Sequence, residues 1–212
     1  MTTEIKKFKK ENLTVRVFAD DISAGQGSAD FVAKHLNDAI RAKGHANLIL
    51  ATGASQFAFI KAIKTLPIDW SKITVFHLDE YKDLPETHPA SFRKYLKERI
   101  LDEVKPHQVY YIHGDAEDIE REITLYENLL KEATIDVACI GIGENGHIAF
   151  NDPGVADFND PKLVKIVQLD EICRRQQLGE GWFSSLEEVP QEAVSLTIPA
   201  IMRCNVISCM VP

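Results

Sequence analysis

Short apolar runs alternate along this chain with longer stretches whose apolar residues recur every three to four positions, the pattern of strands separated by amphipathic helices. Residues 14–19 alternate with period two and predict a strand at a sheet edge. Residues 28–41 put Phe31, Val32, Leu36, Ala39 and Ile40 on one helical face, with Gly44 as the stop. Residues 47–51 read as a buried strand, followed by a turn at 52–55 and a helix over 56–66. Further strands are predicted at 73–78, 109–112, 135–140, 164–169 and 206–210, and further helices over 89–101 and 115–131. This alternation predicts an α/β fold with a mainly parallel sheet covered by helices on both faces. No repeat, low-complexity tract or linker interrupts it, so residues 1–212 are expected to form a single domain. In such sheets ligands bind beyond the carboxyl ends of the strands.

Composition narrows the classes. Of the 212 residues, 45% are hydrophobic and 26% charged, the balance of an ordinary globular protein. No apolar run approaches the roughly 20 residues needed to span a bilayer, and the polar, Lys-rich start has no signal-peptide core. A cytoplasmic protein without membrane partners is expected. The formal net charge of -8 argues against nucleic acid as a partner, because a phosphate backbone demands a basic face. Cys139, Cys173, Cys204 and Cys209 lack paired spacing and read as reduced thiols.

Three strand ends carry unusual chemistry. At the first, Thr52, Gly53, Ala54 and Ser55 form a small, hydroxyl-bearing turn opening into a helix, suited to an anion or simply to a helix cap by Ser55. At the second, an apolar strand runs into Asp79 and Glu80. Strand geometry sends the two carboxylates to opposite sides, so one of them faces a site as a general base, or Asp79 only caps a turn. The spacing of His77 and Asp79 lacks a third ligand, so no metal is expected. At the third, Gly141, Gly143 and Gly146 make a close-approach turn from which His147 projects, with Asn145 before it and Asp152 after it. That is the setting of an oriented acid/base, or of a core histidine satisfied locally. The GxGxxG spacing leads into Asn151, Asp152, Pro153 and Gly154 instead of a long helix, which counts against a nucleotide cofactor.

In this order the three segments resemble the glucosamine-6-phosphate deaminase (isomerase) family, related to 6-phosphogluconolactonases. The specific pieces are Leu78, Asp79, Glu80, Tyr81 through Pro85 with His88 and Pro89, then Gly146, His147, Ile148, Ala149, Phe150, Asn151, Asp152 and Pro153. The resemblance implies a Rossmann-like sheet, a small-molecule sugar phosphate as partner and no cofactor. It also implies that Asp79 moves a proton between C2 and C1 while His147 opens the sugar ring. Asp152 stands where the family usually has a glutamate, and Asn145 where it usually has an aspartate. Asn145 cannot stabilise an imidazolium as a carboxylate does, so that task falls on Asp152, and Asn145→Asp is expected to keep or raise activity. Thr52, Gly53, Ala54 and Ser55 match the phosphate loop, and Arg175, or its neighbour Arg174, lies where the family supplies an arginine to the phosphate. The glycines within 176–186 suit a lid. The family usually continues past the last strand, so the resemblance implies that this sequence is a truncated version of a longer chain. Since the family includes monomers and hexamers, homo-oligomerisation stays open. The resemblance implies conversion of glucosamine 6-phosphate to fructose 6-phosphate and ammonia; a lactonase and a non-catalytic sugar-phosphate sensor are the alternatives.

Overall fold

A computed structural model describes residues 3–211. Its centre is a five-stranded sheet ordered β10-β7-β3-β4-β6, from β3 (Ala46–Leu50), β4 (Ile73–His77), β6 (Gln108–Tyr110), β7 (Val137–Gly141) and β10 (Val206–Met210). Every pairing in it is parallel. Successive side chains of a strand face opposite sides, and the burial follows that rule. Leu48, Leu50, Val75, Val137 and Cys139 pack on one side, while Ile49, Ala51, Phe76, Ala138 and Ile140 pack on the other. Helices α1 (Asp21–Lys43) and α2 (Phe57–Ile63) cover the first side. So does α3 (Phe92–Leu96), which runs through a π-helical turn (Lys97–Leu101) into α4 (Asp102–Val104). Helices α5 (Ile119–Glu132) and α7 (Ile198–Met202) cover the second.

The parallel sheet and its two helical layers follow the sequence pattern; two strands do not. The segment 14–19, expected at the sheet edge, forms β2 (Leu13–Phe18), which pairs antiparallel with β1 (Glu4–Lys10) as a separate ribbon. The segment 164–169 forms β8 (Val164–Gln168), which joins β5 (Asp79–Tyr81) and β9 (Glu192–Leu196) in a three-stranded antiparallel sheet ordered β5-β9-β8. β5 follows β4 after the single residue Leu78, whose carbonyl accepts the Leu196 N–H at 3.1 Å. The chain therefore leaves one sheet and enters another at the doorstep of Asp79.

Helix α1 starts at Asp21, seven residues before the periodic segment, because Asp20 caps it by accepting the Ser23 N–H at 2.7 Å. Two glycines in its first turns hide that start from a propensity reading. They are there for space. A Cβ on Gly25 would sit 2.5 Å from the Ala58 carbonyl carbon, and one on Gly27 would sit 2.4 Å from the Phe18 ring. The predicted stop at Gly44 adopts a left-handed φ of 86° and returns its N–H to Ile40.

Strands β3, β4 and β6 succeed one another in one direction, and the chain then returns to place β7 on the other side of β3. The crevice at such a reversal, above the strand ends, is where open α/β sheets bind ligands. The turn after β3 and the turn after β7 flank it here.

Gly25→Ala should gain about 1 kcal/mol of helix propensity and still lose stability overall, because overpacking costs roughly 1–3 kcal/mol. Urea denaturation checks this; a variant more stable than wild type would show that α1 and α2 are not in close contact at this point.

Candidate active site

The two adjacent carboxylates of β5 have opposite surroundings. Glu80 is fully buried and accepts five hydrogen bonds, from the backbone N–H groups of Tyr81, Phe92 and Arg93, the Ser91 hydroxyl and the Arg93 guanidinium. It caps the start of α3 and anchors Arg93, which also meets Asp115 at 2.8 Å. Asp79 is buried too, yet among the described residues its carboxyl has no hydrogen-bond partner. Burial, helped by the Glu80 charge, pushes it well above the usual carboxylate range, to about 8. Burial also lifts Glu80, but its backbone donors and Arg93 pull the other way. Asp79 lacks any such counterweight.

His77, two residues earlier, offers no ligand pairing with Asp79. Its ring is fully buried and held near a pKa of about 3 by burial, Nδ1 accepts the Ile112 N–H at 3.4 Å, and Nε2 has no partner among the described residues.

The glycine turn after β7 holds His147. A Cβ on Gly143 would meet the His147 ring at 2.1 Å, so only glycine lets the imidazole lie over that backbone. The Asn145 side chain fixes the ring. Its Oδ1 accepts the His147 backbone N–H at 3.0 Å and lies 2.7 Å from Nδ1; its Nδ2 donates to Asp152 Oδ1 at 2.9 Å and to Asp170 Oδ2 at 3.1 Å. Both carboxylates require the amide nitrogen on their side, so the oxygen faces the ring and Nδ1 carries the proton. Nδ1 is also 3.1 Å from Asp152 Oδ1, so the shorter aspartate does reach the histidine. Burial raises Asp152, but hydrogen bonds from His147, Asn145 and the Asp170 N–H outweigh it and hold the carboxyl low. Nε2 is left without a protein partner among the described residues.

This geometry corrects the expectation for Asn145→Asp. A carboxylate there would face Asp152 and Asp170 at hydrogen-bond distance, where like charges repel, so an unchanged or raised activity does not follow.

The turn 52–55 meets the glycine turn directly. Ser55 Oγ would lie 2.9 Å from a Cβ on Gly141, and the Gln56 side chain bridges Ser55 Oγ at 3.0 Å and the Ile140 carbonyl at 3.3 Å. Gly53 takes a φ of 94°, and its carbonyl accepts the Tyr95 hydroxyl at 2.8 Å. Ser55 caps neither the short turn Ala54–Gln56 nor the seven-residue α2. Thr52, Gly53 and Ser55 are half-buried and Ala54 is exposed at the crevice.

Strand β9 ties the Asp79 strand to the histidine turn. Ser195, the cross-strand neighbour of Asp79, accepts the Phe150 N–H at 3.1 Å, and Asn151 Nδ2 donates to Leu196 O at 2.8 Å. Thus Asp79, His147, Asn145, Asp152 and the turn 52–55 gather around the strand ends. Arg175 does not join them. It is exposed on α6 (Glu171–Gly179) and pairs with Glu171, while Arg174 donates to the Val189 and Leu186 carbonyls. The segment expected to be a lid is in part this helix.

Sequence reasoning missed α6, and with it Asp170, Cys173 and Gln176. Asp170 caps α6 by accepting the Cys173 N–H at 2.7 Å, and Gln176 accepts the Glu144 N–H at 3.0 Å. An aspartate just after a strand and before Ile172 and Cys173 was the available cap signal. His147, Asp152 and Cys173 bring three ligand atoms within 4.8 Å of one another. An ion held through Nδ1 would have to displace the Asn145 bond, and any ion bound through Cys173 the proton of a thiol that burial holds neutral.

Comparison with known proteins adds ancestry to this geometry. The family model described as glucosamine-6-phosphate isomerases/6-phosphogluconolactonase matches residues 20–211. Glucosamine-6-phosphate deaminases of Bacillus cereus (strain B4264) and Bacillus thuringiensis (strain Al Hakam) are each 34% identical over 172 residues, 81% of this chain. The matched region is 64% of the length of these curated relatives. The solved structure of a monomeric glucosamine-6-phosphate deaminase is similar with a TM-score of 0.79 at 29% identity, over 90% of this chain and 78% of that one. A 6-phosphogluconolactonase from Shewanella baltica OS155 shares the fold, with a TM-score of 0.70 at 17% identity over 90% of this chain and 77% of that one. The chain belongs to the glucosamine-6-phosphate isomerase/6-phosphogluconolactonase family.

Proposed function

We propose that this chain carries the active site of an amino-sugar-phosphate isomerase/deaminase, converting glucosamine 6-phosphate to fructose 6-phosphate and ammonia. The observation that carries the reading is Asp79, a buried carboxylate without a hydrogen-bond partner among the described residues, at a strand end tied through β9 to a histidine whose Nε2 has none among them either. His147, its proton fixed on Nδ1, takes the anomeric hydroxyl proton at Nε2 and hands it to the ring oxygen, so that the C1–ring-oxygen bond breaks and the sugar opens. Asp79 then takes the C2 proton and returns it to C1, while the C1 carbonyl oxygen gains the proton that the amino group gives up, so the C1 aldehyde becomes a hydroxymethyl group and C2 a ketimine. Water adds to the resulting ketimine, and ammonia leaves. Asp152 and Asn145 hold His147 in register. The substrate phosphate lies on the turn Thr52, Gly53, Ala54 and Ser55, with hydroxyl and backbone donors around it; Arg175 reaches it only by leaving Glu171.

The 34% identity to glucosamine-6-phosphate deaminases supports this chemistry over the lactonase alternative, for which the likeness rests on fold. On this reading residues 1–212 act as one domain, and no organic cofactor or metal enters a step. A cytoplasmic setting is supported by four free cysteines, three of them buried. Among the described residues no helix is long and apolar enough to cross a membrane. The partner is a small sugar phosphate, and assembly into a homo-oligomer is compatible with the reading.

Ammonia release from a panel of hexosamine 6-phosphates tests the proposal. Turnover of a lactone without ammonia would move it to the hydrolase, and binding without turnover to a sensor. Asp79→Asn should lower kcat by about 10²-fold or more while leaving substrate binding largely intact; near wild-type turnover would remove Asp79 from the mechanism. The phosphorylated sugar should bind at least about tenfold more tightly than the free sugar, since each charge-assisted hydrogen bond is worth about 1.5–3 kcal/mol. Equal affinities in calorimetry would remove the anion turn.

The base must be ionised to accept a proton, so kcat/KM should rise with pH along a limb near 8 that Asp79→Asn abolishes. Stability should move the other way. A carboxyl raised in the folded state contributes stability that is complete below its unfolded pKa and is lost as pH rises through the folded one. Between about pH 4 and pH 8 wild type should therefore lose stability relative to Asp79→Asn, by up to about 1.4 kcal/mol per pH unit. A constant difference in chemical denaturation across that range would contradict the raised carboxyl.

A further inference from the structure

The Asn145 amide has two N–H donors and an oxygen with two lone pairs, and all four are engaged. Two of the four bonds leave the turn to meet carboxylates. One of these is Asp152, which also contacts the ring. The other is Asp170, which touches neither His147 nor the turn 52–55 among the described residues. Asp170 nevertheless spans the gap between helix and turn with both its backbone and its side chain. Its Oδ1 accepts the Cys173 N–H at 2.7 Å, its Oδ2 accepts Asn145 Nδ2 at 3.1 Å, and its N–H donates to Asp152 Oδ2 at 3.1 Å.

We infer that Asp170 is a positioning residue: by fixing the Asn145 amide it sets which nitrogen of His147 carries the proton, and so keeps Nε2 free for the sugar. With Asp170 and Asp152 both on the nitrogen side, flipping the amide would set its oxygen against two carboxylates and its nitrogen against the His147 backbone N–H. All four bonds would be lost. Asp152 alone restrains the flip less, because it can turn to Nδ1 and the Asp170 N–H without Asn145. The second carboxylate is what makes one orientation decisive. A carboxylate at 145 could accept from the ring in either of its orientations and would need no such partner. An amide has a right and a wrong way round. The effect on turnover rests on the reading of His147 as the group that relays a proton to the ring oxygen through Nε2; the effect on the ring does not.

The bland alternative is that Asp170 only caps α6. Asp170→Asn and Asp170→Ser separate the two roles, because Asn and Ser cap helices about as well as Asp. In Asp170→Asn the cap keeps Oδ1 on the Cys173 N–H and turns an NH2 toward the Asn145 NH2, donor against donor. In Asp170→Ser the shorter side chain caps but leaves one Asn145 N–H without its carboxylate. The readout is the ring itself, by two-bond proton–nitrogen correlation on ¹⁵N-histidine protein without substrate, with His147→Gln to assign one signal among the seven histidines.

Wild type should show His147 with its proton on Nδ1. Asp170→Asn should move it to the Nε2–H form, and Asp170→Ser to a mixture, with thermal midpoints within a few degrees of wild type. In the ammonia assay kcat should fall about tenfold with KM within twofold. Should Asp170→Asn fail to fold, Asp170→Ser carries the same comparison. A His147 proton that stays on Nδ1 in the folded variants would overturn the inference and leave Asp170 a helix cap. If no protein in the series releases ammonia, the deaminase reading fails, while the tautomer comparison still decides the role of Asp170.

Discussion

Two neighbouring carboxylates on a three-residue strand cannot both be buried as bare charges, and the site is organised around how the fold resolves that conflict. Glu80 is given the start of α3, the Ser91 hydroxyl and Arg93, so its charge is met by donors built into the chain. Asp79 is given nothing. Its proton is therefore held into the neutral range, where a small change in surroundings decides whether it is kept or released. The crossing at Leu78 makes the difference. It turns the chain from the parallel sheet into the antiparallel one, so alternate residues of β5 face a helix end and the open end of the crevice.

The histidine side of the site rests on an amide doing work that a carboxylate could do with less help. Asn145 brings no charge to the ring, and Asp152, one methylene shorter than glutamate, still lies within reach of Nδ1. The helix that follows β8 supplies what is missing, through Asp170 at its cap and Gln176 on the Glu144 N–H. A segment whose glycines suggest a lid thus begins as a brace for the histidine turn. Fold and site are coupled at this point, since the same aspartate starts a helix and holds a side chain of the histidine turn.

Much of this was legible in the sequence where local pattern decides it. The buried strands 47–51, 73–78 and 135–140 announce themselves as short, mostly apolar stretches, and the residues at their ends are the ones the structure gathers. The pattern fails where tertiary contact decides. Gly25 and Gly27 read as helix breakers, yet they are the close-approach points of α1. Local pattern identifies 14–19 and 164–169 as strands but cannot say which sheet each joins, because that depends on which other strands they pair with. Arg175 looks like an anion ligand by charge and position; on the helix it points outward to Glu171, one residue from the inward-facing Gln176. Asp170 shows in the sequence only as a helix cap after a strand; its bond to Asn145, 25 residues away, has no local signal.

The unequal treatment of Asp79 and Glu80 is the claim on which the rest depends, and carboxyl ¹³C NMR measures it without substrate. Aspartate-labelled protein, titrated from pH 4 to pH 10, should show one carboxyl signal moving with a midpoint near 8 and missing from Asp79→Asn. A spectrum in which every aspartate carboxyl has titrated below about pH 5 would contradict the account.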